Sequence, residues 1–242
     1  MRNKKVIVVL FYSFVFSMQF CVGHIEQSRE NRIGNPRVED SRIIQSLYPG
    51  MKEKLESRNW RKNNQYNKFD EIISHLYLGG YDAFSSVDVS KGNPYDFKII
   101  IRITNMSYHD KRLSRWYVKP CKDIKILDIG LNVDDIPKNK FLLLDRASDF
   151  EQSYKNLRVE QWFEKTFSLI DKGLIEGSNV LVHCVLGRSR SSTIIIAYLI
   201  SRFDVSYEIA YEYVKACRPC IEPNSGFMEL LRTYSKWLPT LD

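Results

Sequence analysis

The sequence predicts an α/β domain with a central, mostly parallel sheet flanked by helices, and three observations predict it. Apolar, β-branched runs of strand length recur from Ile72 to His183. They alternate with segments whose apolar residues return every three or four positions. Turn residues punctuate the boundaries, while no internal repeat or low-complexity tract interrupts the pattern. Element by element, Ile72-Ile73 and His75-Leu76-Tyr77-Leu78 read as short strands closed by Gly79-Gly80. Lys98 to Thr104 (KIIIRIT) is a continuous β-branched run, the pattern of a strand covered on both faces. Ile124 to Val133 and Asn179 to His183 (NVLVH) are two further strands. Trp162, Phe163, Phe167 and Ile170 recur at helical spacing and are read as core. Helical patterns then run from Ser189 to Ser201, Ser206 to Cys217 and Gly226 to Trp237.

The 242 residues suffice for one domain with a substantial core and an appended segment. With 44% apolar and 27% charged residues, the composition is that of an ordinary globular chain. The net charge of +7 favours anionic substrates in general but is too small an excess to argue for nucleic acid. Three positive charges, Arg2, Lys4 and Lys5, precede an uncharged run from Val6 to Val22, with small residues Cys21 and Gly23 around its end. Residues 1–23 thus read as a signal peptide directing the chain to the secretory pathway. Tyr12, Ser13, Ser17 and Gln19 lower the run's hydrophobicity and favour the cleaved form. An uncleaved anchor, which would make the membrane a partner, and a buried strand, which would leave the chain cytoplasmic, stay open. Residues 24–68 are polar and read as a loosely ordered extension, and the folded body is placed at 69–240. Without Cys21, four cysteines remain, Cys121, Cys184, Cys217 and Cys220, an even number compatible with two disulfides. A nucleophilic role for Cys184 requires that this one be unpaired. The C-x-x-C of Cys217 and Cys220 has no second Cys or His pair beside it, so neither a metal nor any other cofactor is expected.

The stretch that carries chemistry is Asn179 to Ser192, NVLVHCVLGRSRSS. A strand ends at His183-Cys184, a tight loop comes next, and an apolar helix begins near Ser189. Ligands of such units bind beyond the carboxyl ends of the strands. The loop Val185, Leu186, Gly187, Arg188, Ser189, Arg190 can turn its backbone N–H groups toward one point, where the helix N-terminus adds positive potential. Gly187 suits a loop that needs positive φ or close approach of a ligand. A thiol at Cys184 faces those donors and is expected to ionise near neutrality. Arg190, six residues on, can bring a planar fork back over the loop to grip two phosphate oxygens. Ser191 can hydrogen-bond the sulfur as leaving group or cap the helix, a role Ser189 fills equally well. His183 points away from the ligand and either orients the loop from behind or is structural.

The stretch His183-Cys184-Val185-Leu186-Gly187-Arg188-Ser189-Arg190-Ser191 resembles the H-C-x-x-G-x-x-R-S motif of the cysteine-based protein tyrosine phosphatases. Its continuation Ser192 to Ile200, together with Leu76-Tyr77-Leu78-Gly79-Gly80 and Arg218-Pro219-Cys220-Ile221-Glu222-Pro223-Asn224-Ser225-Gly226-Phe227, is similar to the dual-specificity branch, and the likeness runs from about Phe69 to Leu238. The resemblance implies phosphotyrosine and phosphoserine/threonine hydrolysis through a cysteinyl-phosphate, with a phosphorylated protein as partner. It also implies an aspartic acid after the strand that precedes the first long helix. Asp134 is favoured for that role over its neighbour Asp135. The stretch from about Pro137 to Arg158 is longer than the family loop, which makes Asp145 and Asp149 substitutes. Asn224 matches a position whose side chain buttresses the loop; a Pro-Asn turn explains it equally. Two alternatives accompany this reading: a phosphatase of phosphoinositide, phosphoglucan or RNA 5′-phosphate, and a pseudophosphatase that only binds phosphorylated partners. The sequence leaves the oligomeric state open.

Overall fold

The computed structural model describes residues 36–87, 92–104, 123–130 and 159–238. The signal-peptide segment 1–23, Cys121, the acid candidates Asp134, Asp135, Asp145 and Asp149, and the long stretch 137–158 lie outside the described residues. The sheet lies within residues 40–242.

Among the described residues the strands are β1 (Phe69–Ile73), β2 (Leu76–Gly79), β3 (Phe97–Thr104), β4 (Lys125–Gly130) and β5 (Asn179–His183). They form one sheet in the order β1-β2-β5-β3-β4. β1 and β2 make an antiparallel hairpin; the three other pairings are parallel, so β5 sits at the centre between β2 and β3. The expected mostly parallel sheet is therefore the one that forms. Alternation along β5 sends Val180, Val182 and Cys184 to one face and Leu181 to the other.

The helices are α1 (Pro36–Leu47), α2 (Met51–Glu56), the one-turn α3 (Tyr81–Phe84), α4 (Val159–Ile175), α5 (Arg190–Phe203), α6 (Tyr207–Cys217) and α7 (Ser225–Trp237). All but α3 contribute to the larger core, on the Cys184 face of the sheet. The opposite face carries a smaller cluster around α3, with Phe84, Phe97, Ile100 and Leu181. Each large apolar side chain buried this way contributes about 1.5–3 kcal/mol. α5 is buried from Ser191 to Phe203, its apolar run Ile194–Ile200 covered on every side and its polar residues buried with it. It ends at Asp204 in the left-handed region (φ 53°). Ser206 caps α6 by accepting from the Ile209 N–H.

Of the stretch 24–68, read from sequence as a loosely ordered extension, residues 24–35 lie outside the described residues and the described part, 36–68, departs from that expectation. It includes α1 and α2 and contributes fully buried Ile44 and Leu55 to the main core. The Ser41 hydroxyl donates to the Ser201 carbonyl (3.1 Å), and Gln45 Nε2 donates to the Arg202 carbonyl (2.8 Å). Among the described residues no helix is long and apolar enough to cross a membrane.

A buried ionic strut ties α4 to α5. Arg202, fully buried, pairs with Asp171 (2.9 Å, also fully buried) and with Glu164 (2.7 Å), while the Tyr198 hydroxyl donates to Asp171 (2.8 Å). Burial pushes the Asp171 carboxyl up to about 6, with the Arg202 charge opposing it. Removing the cation would leave that carboxylate uncompensated. Arg202→Met is expected to cost about 3–5 kcal/mol of stability. Because Arg202 opposes the upward shift, the orphaned Asp171 takes its proton above pH 6; the loss should shrink as pH falls through that range, and denaturant unfolding at two pH values measures both effects.

Candidate active site

The loop from Cys184 to Arg190 leaves the carboxyl end of the central strand, and its carbonyls are tied outward one by one. The Val185 carbonyl accepts from the Tyr81 N–H (2.8 Å) and the Arg188 carbonyl from the Glu222 N–H (2.7 Å). The Gly187 carbonyl accepts from Arg218 Nε (3.0 Å). His183 Nδ1 reaches the Cys184 carbonyl (3.1 Å), its ring stacked on Phe84 at 5.0 Å between centroids. In a trans peptide the N–H points opposite to the carbonyl of its own plane. The N–H groups of Val185, Leu186, Arg188 and Ser189 therefore turn away from these scaffold donors, toward the middle of the loop. The result is an anion cradle at the start of α5.

Cys184 is buried against this cradle and its Sγ accepts from the Ser191 hydroxyl (3.2 Å). Burial alone would raise the thiol. It is outweighed by the Ser191 hydroxyl and N–H, the Arg190 guanidinium and the Gly187 N–H, so the thiol titrates below its ordinary value. Arg190, the first residue of α5, donates from Nη1 to the carbonyl of Ile103 at the end of β3 (3.5 Å). Cys184, Cys217 and Cys220 are all free thiols, so Cys184 is available as the chemistry requires.

Gly187 adopts φ +65°, and a Cβ there would lie 2.5 Å from the carbonyl carbon and oxygen of Gly79. Both constraints exclude a side chain. Gly80 sits under the loop as well, where a Cβ would meet the Val185 carbonyl oxygen at 3.2 Å. Gly79-Gly80 at the end of β2 is thus the floor of the cradle. Gly187→Ala is expected to weaken tungstate binding by at least about tenfold, read by calorimetry, because a displaced loop misaligns several donors together.

Set against known protein families, residues 76–237 match the model described as "Dual specificity phosphatase, catalytic domain". The chain belongs to the dual-specificity phosphatase family. It carries a phosphatase catalytic domain of the cysteine-based protein tyrosine phosphatase superfamily. Among curated relatives it is 27% identical over 186 residues to the protein phosphatase Slingshot of Drosophila melanogaster, covering 71% of this chain and 17% of that protein. It is 39% identical over 103 residues to the human dual specificity protein phosphatase 16, covering 43% and 15% respectively. The chain therefore spans under a fifth of the length of these two relatives. The human DUSP28 crystal structure superposes with a TM-score of 0.50 at 19% identity, covering 71% of this chain and 95% of that one, a likeness of fold.

Within this dual-specificity domain the structure brings together His183, Cys184, Val185, Leu186, Gly187, Arg188, Ser189, Arg190 and Ser191. Four placements refine the sequence expectation. Ser191 bonds the sulfur instead of capping α5. Ser189 holds the N-cap position, but its hydroxyl accepts from the Asn224 N–H (3.3 Å). The Asn224 side chain, expected to buttress the loop, caps α7 by accepting from the Phe227 N–H (2.9 Å), and only its main chain reaches the loop. Arg188 is spent on an ion pair with Glu222 and a bond to the Cys220 carbonyl. Sequence reasoning missed Arg218, Asp70 and the Tyr81 N–H as loop supports. Arg218-Pro219 and the Asp70 beside Phe69 stood inside recognised stretches, but no local spacing links them.

Proposed function

We propose that the chain is a protein phosphatase acting on phosphotyrosine and phosphoserine/threonine through a cysteinyl-phosphate on Cys184. The observation that carries this reading is the Cys184 sulfur itself: drawn below the ordinary thiol value by Ser191, Arg190 and the loop N–H groups, at the bottom of an anion cradle. The cradle holds three phosphate oxygens, Arg190 clamping two of them. The thiolate lone pair attacks phosphorus in line as the P–O ester bond breaks. The leaving oxygen takes a proton from the acid, for which Asp134 is the candidate. Water then attacks phosphorus, returning its proton to that acid, and the P–S bond breaks. The Ser191 hydroxyl stabilises the departing thiolate, and free phosphate leaves. Each of these steps is balanced by the chain's own side chains and water.

Two features support a protein substrate over a polyanionic lipid. The rim residues Val185 and Leu186 are 47% and 57% exposed, offering apolar contact beside the phosphate. The rim cation Arg188 is neutralised by Glu222. The test is hydrolysis of phosphotyrosyl and phosphothreonyl peptides beside short-chain phosphoinositides, all in chelator, with the Cys184→Ser protein as control. Release of phosphate from both peptides is expected. Turnover confined to phosphoinositides would overturn the protein assignment, and binding of phosphopeptides without turnover would make the chain a pseudophosphatase.

A further inference from the structure

Arg218 closes the C-terminal end of α6 and is buried to within 1% of its surface, in a place where an arginine is costly. Its hydrogen bonds run to two separate parts of the chain. Nε donates to the Gly187 carbonyl at 3.0 Å. Nη1 donates to the Asn67 carbonyl at 3.0 Å and pairs with Asp70 Oδ2 at 2.6 Å. Asp70 is buried too, and its other oxygen accepts from Asn63 Nδ2 (2.8 Å) and Asn67 Nδ2 (2.7 Å). Asn63 is fastened in turn: its N–H donates to the Ala216 carbonyl (2.8 Å) and its Nδ2 to the Cys217 carbonyl (3.1 Å). Residues 63–70 thus form a strap across the end of α6, upstream of the stretch 76–237 that matches the family model. The strap fixes the guanidinium, and the guanidinium fixes one peptide plane of the loop.

That plane matters for chemistry. Drawing the Gly187 carbonyl outward turns the Arg188 N–H of the same plane inward, and it holds Gly187 in the left-handed conformation that directs its own N–H at the sulfur. We propose that Arg218, anchored by Asp70 and the 63–70 strap, is a positioning residue that aims the Gly187 and Arg188 N–H groups at the nucleophile and its bound phosphoryl group. It touches neither. This inference rests on the phosphatase reading of the same loop, and names a part of the site that precedes the matched domain in sequence.

The test uses the full chain carrying Arg218→Met with Asp70→Asn, which removes both buried charges and leaves no ion unpaired. Two quantities are read: the pH midpoint of Cys184 alkylation by iodoacetamide, and the affinity for tungstate. Losing one aimed N–H should raise the midpoint by about one pH unit. Tungstate affinity should fall about tenfold or more. A folded double variant with the wild-type midpoint and affinity would reduce Arg218 to a structural strut and overturn the proposal. Should the double variant fail to fold, Arg218→Lys carries the same readouts. Lysine keeps the charge opposite Asp70 but has no second donor set at a fixed angle for the Gly187 carbonyl, so an unchanged midpoint there is equally fatal. The wild-type arm separates the two readings. A wild-type midpoint at the ordinary thiol value would defeat the nucleophile assignment, whereas a depressed midpoint that the variants leave in place defeats only the role of Arg218.

Discussion

Serine in place of Cys184 is expected to lower turnover of an aryl phosphate by at least about 10⁴-fold while phosphate-site binding persists. The two halves of that expectation have different causes. The cradle consists of main-chain N–H groups and Arg190, none of which the substitution alters, so an oxyanion such as tungstate should still bind. What disappears is the ionised nucleophile. The same donors that draw the thiol below its ordinary value cannot ionise a serine hydroxyl near neutral pH. The wild-type kcat/KM profile should accordingly rise with pH through the Cys184 ionisation, at a midpoint below that of a free thiol. It should fall again where the acid loses its proton. Alkylation followed on the Cys184 peptide by mass spectrometry makes the first limb measurable by itself. Burial pushes the Cys217 thiol up to about 11 despite its bond with Tyr213, so it stays protonated while Cys184 reacts. Turnover within about tenfold of wild type in the Cys184→Ser protein would end the assignment.

What could be read from sequence and what could not divide along covalent distance. β5, the loop and α5 are contiguous, and each declares itself locally: an apolar strand, a glycine where φ is +65°, and a helix with the unbroken apolar run Ile194–Ile200. The parallel arrangement likewise comes from strands separated by helices. The supports of the loop are different. Arg218 and Asp70 are 148 residues apart, and neither periodicity nor residue type near either one points to the other. The polar composition of 24–68 argued for loose order because such stretches seldom bury enough apolar surface. In the structure a few apolar anchors suffice, Ile44, Met51 and Leu55, with Trp60 packed edge-on against Tyr213 at 5.4 Å. Polar side chains between them, Ser41, Gln45 and Asn63 among them, are consumed by hydrogen bonds to α5, α6 and Asp70 that only the folded chain supplies.

Arg190→Lys tests the shape of the site separately from its charge. Both side chains are cationic, so lysine should leave the Cys184 thiol depressed, and its alkylation midpoint should barely move. Geometry is what lysine lacks. The guanidinium donates from Nη1 toward the Ile103 carbonyl, which fixes the plane of the fork and leaves its remaining donors for two phosphate oxygens. An ammonium is a flexible point charge that satisfies one oxygen at a time. As the phosphoryl group flattens in the transition state, two aligned donors gain strength together, whereas one wandering donor gains little. Turnover should therefore fall by about 10²–10³-fold, mostly in kcat, as for the loss of an aimed oxyanion donor. Arg190→Ala should match that loss in kcat and also raise the thiol midpoint, because it removes the charge as well. Near-normal kcat in the lysine variant would mean that potential alone drives the step, and the bidentate clamp would have to be abandoned.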